Sequence, residues 1–174
     1  MAATEDHGVG AEPRDTELTF EDLQAASEDE LDGIYRDATA PEIEELEGRY
    51  RGSVVSGRVF PLDTEAALKI VNTEWMPWGG KKFYPVDEEE SRGCNWYRLG
   101  PVERNGYSFV GRITPAIVGR AEAYVLDYDL PDNPGAVQNV RDELKKVREG
   151  LYLGRTYVRM GGEHRFVMYF VLED

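Results

Sequence analysis

From Tyr50 to Phe60 the side chains alternate unevenly: Tyr50, Gly52, Val54, Ser56 and Arg58 share one face, and Arg51, Ser53, Val55, Gly57 and Val59 the other. β-Branched content and glycine punctuation make this a bent strand or a hairpin. Lys82 to Val86, Tyr107 to Ile113 and Glu122 to Asp129 read as further strands, with a polar loop over 87–93. Leu151 to Arg159 and Arg165 to Leu172, separated by Gly161-Gly162-Glu163-His164, form a terminal hairpin filled with apolar side chains. Helical spacing is rarer. Val137, Val140, Leu144 and Val147 recur at that spacing between Asn133-Pro134 and Gly150, predicting one main helix over about 134–149. Asp63 caps a second apolar helical turn over 65–71. Upstream, Thr19 with Asp22 and Ser27 with Glu30 have capping-box spacing, predicting short helices over about 20–25 and 28–37, and Pro41 opens a turn to Leu46.

These elements divide the chain into an acidic tail over 1–17, too poor in large apolar side chains to order itself, a short helical segment over 18–46 and a β-rich domain over 47–174. The expected fold class is β-rich α+β: a single antiparallel barrel with one main helix and short N-terminal helices. Charge narrows the partners. The 174 residues carry 34 carboxylates against 20 basic side chains, a net charge of -14. That balance argues against nucleic acid and anionic membrane surfaces, both of which need a concentrated cationic face. One cysteine, Cys94, precludes an internal disulfide, and neither a basic-apolar leader nor a membrane-length apolar run appears. The expectation is a soluble, cytoplasmic protein.

Gly48-Arg49-Tyr50-Arg51-Gly52 places glycines around an aromatic at the entry to the β-rich domain, letting the strand bend while a large ring plugs the bottom of a barrel. Together with Gly80-Lys81-Lys82-Phe83, Leu126-Asp127-Tyr128-Asp129 and the closing Tyr169-Phe170-Val171-Leu172, it resembles the lipocalin-like (calycin-type) domains that open on Gly-x-Trp-x-Gly. Tyr50 stands where those domains have tryptophan. The resemblance covers residues 41–174 and implies a cavity for a hydrophobic or amphipathic small molecule more than a reaction.

Strand alternation turns about half of the side chains inward, so candidate cavity residues are Trp78, Trp96, Phe109, Arg112, Tyr124, Arg155 and Tyr157, with an arginine orienting a polar ligand end. The plainer reading pairs the arginines with surface carboxylates and leaves the tryptophans in the core. If the protein is instead a cofactor-independent cyclase, isomerase or lyase, Asp127 is the candidate acid or base and Tyr128 its proton partner. Asp129, Asp132 and Asn133 read as turn and helix-capping residues. Lys81 and Lys82 read as a solvated strand edge, and Arg141, Lys145, Lys146 and Arg148 as the exposed face of the main helix. Cys94 reads as a buried, inert thiol. No cofactor is expected: paired His/Cys metal motifs are missing, and His164, the sole credible axial haem ligand, sits in a Gly-Gly turn.

Overall fold

A computed structural model describes residues 17–57 and 78–174. Among them, eight antiparallel strands close into one barrel in simple chain order: β1 (Gly48–Gly57), β2 (Trp78–Pro85), β3 (Ser91–Leu99), β4 (Val102–Pro115), β5 (Glu122–Asp127), β6 (Val140–Arg148), β7 (Leu151–Met160) and β8 (Glu163–Glu173). The meander closes where β1 pairs with β8, from Arg51 opposite Glu173 to Gly57 opposite Met168. Closure removes the sheet edges that would otherwise invite intermolecular pairing. Before the barrel lie α1 (Phe20–Ala25), α2 (Glu28–Asp37) and a 3-10 turn, Ile43–Glu45; a single short turn, α3 (Gly135–Gln138), precedes β6.

The first helices end and begin where their caps dictate. Thr19 Oγ1 accepts from the Asp22 amide while Asp22 accepts from the Thr19 amide, and Ser27 and Glu30 repeat the exchange at α2. Each reciprocal pair satisfies two amides that a helix start leaves open. Ser27→Ala is expected to cost about 1 kcal/mol, read from urea unfolding midpoints. The helices hold the barrel's outside rather than its lumen. Phe20, Leu23, Leu31 and Tyr35 pack on Leu151, Leu153, Tyr169 and Val171, the outward residues of β7 and β8.

One end of the barrel is plugged by rings. Tyr50 meets Phe83 and Tyr152 edge-on at centroid distances of 5.6 and 5.7 Å, and Phe83 packs in turn on Phe109 and Tyr124 at 5.3 and 6.0 Å. The Tyr50 hydroxyl donates to the Glu45 carbonyl at 3.2 Å, tying the 3-10 turn beneath the plug. Gly80 makes the crossing of β1 and β2 possible. Its φ is +139°, and a Cβ there would stand 2.0 Å from the Tyr50 carbonyl oxygen.

The expected helix over 134–149 is replaced by α3 and strand β6. β6 pairs with β5 from Tyr124 opposite Leu144 to Asp127 opposite Arg141, and with β7 from Val140 opposite Val158 to Arg148 opposite Leu151. Barrel closure demands a strand there, and those ladders override a helical apolar spacing. The basic group expected on an exposed helix face is correspondingly elsewhere. Lys145 is buried over the Tyr35 ring, Lys146 pairs with Glu45 and Glu149, and Arg148 donates to the Leu18 carbonyl at 2.7 Å. β3 and the first half of β4 add further strand: the loop expected over 87–93 ends at Glu90, where Ser91 starts β3. The acidic tail through residue 16 and the helical turn expected over 65–71 lie outside the described residues.

Candidate functional site

Above the aromatic plug the barrel holds a cavity of about 80 Å3, toward the end where β1 finishes and β2 begins. Val54, Val137, Val140, Met168 and Phe170 form its apolar wall. Trp78 lies across Gly52, where a Cβ would come within 2.5 Å of the indole, so the glycine is what admits the ring. The floor is polar. Lys81 of β2, Asn95 of β3, Tyr128 just after β5, Asp142 of β6 and Thr156 of β7 converge there.

The network is tight and complete. Lys81 Nζ donates to Asp142 Oδ2 at 2.7 Å, to Asn95 Oδ1 at 2.9 Å and to the Tyr128 hydroxyl at 2.5 Å. Tyr128 donates to Asp142 Oδ2 at 3.0 Å, and Thr156 Oγ1 to Asp142 Oδ1 at 2.7 Å. The Trp78 indole N–H reaches Asn95 Oδ1 at 3.3 Å. Four rings, those of Trp78, Phe109, Tyr128 and Phe170, surround the ammonium at 5.1–5.5 Å from their centroids, within cation-π range. Burial pushes the Lys81 amine below the usual lysine range against the opposing pull of Asp142, and burial beside Asp142 pushes the Tyr128 phenol well up.

Tyr128 is held from outside the cavity as well. Asn133 Nδ2 donates to the Tyr128 and Ser108 carbonyls, both at 2.8 Å, and Asn133 Oδ1 accepts from the Ser108 amide at 3.2 Å. Asn133 thus clamps β4 to the end of β5 instead of capping α3, whose N-cap position is Pro134.

Of the side chains singled out from the sequence, Trp78 and Tyr128 line the cavity, and Phe109 stands behind Tyr128 with centroids 5.5 Å apart. Tyr124 is deeper, in the plug, hydrogen-bonded to Ser91. The rest face outward. Trp96 is buried on the outer surface beneath the Arg49 guanidinium, 3.9 Å away, Arg112 pairs with Glu90, and Tyr157 packs on Phe166. Arg155 donates to Asp32 of α2 at 2.7 Å and to the Tyr169 hydroxyl. Asp127 pairs with Arg141 at 3.2 Å and accepts from the Asp129 amide; among the described residues the carboxylate lining the cavity is that of Asp142. His164, the second residue of β8, lies near Arg141 and Arg159; partial burial and those cations lower its pKa. Cys94 is a buried free thiol, raised by burial.

Lys81 overturns the expected solvated edge. A register irregularity between Trp78 and Gly80 lets Trp78 and Lys81, three residues apart, both face the lumen, while Lys82 points out to Glu103 and Asn105. The double glycine at 79–80 is the one sequence signal for that bulge. Asp142 carried no such signal.

A second buried carboxylate lies on the outer wall beneath α2. Glu143 accepts from the Tyr35 hydroxyl at 3.2 Å and from the Ile117 amide, with Arg155, Arg141 and Lys145 facing it. Burial is the larger effect and raises its pKa above 4.5. Its contribution to stability is therefore complete below the unfolded value and declines as pH rises through the folded one. Glu143→Gln, whose amide can serve both partners, is expected to flatten that decline from about pH 4.5 upward, as measured by urea midpoints across a pH series.

No protein-family model matches the chain, and no curated protein sequence matches it significantly. A crystal structure of a protein from Thermomonospora curvata resembles it with a TM-score of 0.53 and 18% identity, over 85% of this chain and 87% of that one. The likeness is one of fold. Among the described residues no helix is long and apolar enough to cross a membrane.

Proposed function

We propose that the barrel binds a small amphipathic molecule, with its apolar part against Val54, Val137, Val140, Met168 and Phe170 and its polar end on the Lys81–Asp142 floor. The observation that carries this reading is a desolvated ion pair at the base of a cavity. Such a pair is stability-neutral at best beside a well-packed apolar filling, so its presence calls for a reason other than holding the fold. A polar head at the end of an apolar slot is that reason, in keeping with the resemblance to lipocalin-like domains. The test is native mass spectrometry of gently purified protein. A co-purifying small molecule is expected with the unaltered chain and is lost in Val140→Phe, which fills the slot. A chain that never carries a guest and behaves identically with the slot filled defeats the reading.

The arrangement at Tyr128 supports a second reading, proton-transfer chemistry, because its hydroxyl touches both an amine and a carboxylate. In that case the acid-base pair is Tyr128 with Asp142 rather than with Asp127. A recovered compound that returns unchanged after incubation with the protein supports binding alone. Conversion abolished by Asp142→Asn and untouched by Asp127→Asn supports the enzyme.

A further inference from the structure

We infer that the guest is a neutral polar molecule, of the class of short-chain alcohols and ketones, and that the floor disfavours anions and cations alike; this deepens the binding function proposed above. The floor already contains both signs of charge. Lys81 and Asp142 stand 2.7 Å apart and compensate each other, so among the described residues that line the cavity no unpaired opposite charge awaits a charged head. Burying an unmatched ion is far more costly than burying a hydroxyl that finds a partner.

Stoichiometry gives the same answer for each sign. An ammonium has three hydrogens, and those of Lys81 go to Asp142, Asn95 and Tyr128, with aromatic rings closing off its surroundings. A carboxylate guest would have to displace one of those acceptors and then sit close to Asp142. A cationic guest would need Asp142, whose Oδ2 already accepts from Lys81 and Tyr128 and whose charge is already matched.

What is left over suits a neutral head. Thr156 Oγ1 gives its hydrogen to Asp142 Oδ1 and keeps its lone pairs, while Asp142 Oδ1 accepts from Thr156 among the described residues. A head that donates can use these lone pairs, and one that accepts can turn to the Asn95 side-chain NH2 and the Tyr97 and Tyr107 hydroxyls, which also line the cavity. Size sets the rest. At about 80 Å3 the cavity is smaller than the roughly 150 Å3 space known to hold a benzene molecule, which limits the enclosed portion to about three or four heavy atoms.

The experiment titrates the 15N-labelled full chain with 1-butanol, 2-butanone, butyrate and butylammonium at matched ionic strength and neutral pH. The reporters are the Trp78 indole N–H and the Asn95 side-chain amide, which share the floor's hydrogen-bond network. 1-Butanol and 2-butanone are each expected to shift both saturably, with a Kd about tenfold or more below that of either ion. Butyrate or butylammonium binding as tightly as the alcohol overturns the inference and leaves the binding function standing. Silence from all four probes, with Val140→Phe also silent, overturns the binding function itself.

Discussion

Asp142→Leu is expected to lower the unfolding free energy by about 3–5 kcal/mol, because it strands the Lys81 ammonium in a site it cannot leave. Lys81 is 3% exposed and Asp142 likewise 3%, so neither can recover hydration by a small rotation. Lys81→Met strands the carboxylate in the same way, and a comparable loss is expected. The double variant Lys81→Met/Asp142→Leu removes both charges and is expected to regain most of the stability, by analogy with buried ion pairs replaced by apolar residues of similar volume. Urea unfolding followed by tryptophan fluorescence gives all three values and the coupling energy between the sites. Single losses below about 1 kcal/mol would place the pair in effectively aqueous surroundings, contrary to the geometry. A double variant that is stable yet no longer takes up a guest separates the pair's functional role from its structural one.

The second large effect is expected at the plug. Tyr50→Ala removes a ring that touches Phe83 and Tyr152 edge-on and leaves a void at the sealed end, at an expected cost of about 3–5 kcal/mol. Tyr50→Phe deletes the 3.2 Å hydrogen bond to the Glu45 carbonyl and keeps the ring, so about 1 kcal/mol is expected. The two values, taken from the same unfolding measurement, distinguish packing from tethering. If the hydroxyl deletion costs as much as the ring deletion, the plug is held by the 3-10 turn and not by its own aromatic contacts.

Local chemistry was plain in the sequence. Capping pairs at Thr19 and Ser27 act within four residues of chain, so the starts of both helices follow from spacing alone. The terminal hairpin was equally legible, because β7 and β8 are apolar on both faces: lumen on one side, helices on the other. The same double burial concealed β6. Its inward residues Val140, Asp142 and Leu144 and its outward residues Arg141, Glu143 and Lys145 mix polar and apolar on each face, so the period-2 contrast that marks a strand vanished and a chance helical spacing took its place.

The candidate site shows the same division. An aromatic- and tyrosine-rich barrel entered through Gly48-Arg49-Tyr50-Arg51-Gly52, with Tyr50 sealing its base, was determined by residue type and local spacing. Which side of each strand became the interior was decided only when the barrel closed, since alternation defines two faces and cannot say which one encloses the lumen. Closure turned Arg112, Arg155 and Asp127 to the outer wall and brought Lys81 and Asp142, 61 positions apart, to 2.7 Å. A buried charge is tolerable only where another strand supplies its partner, and that partner exists only in three dimensions.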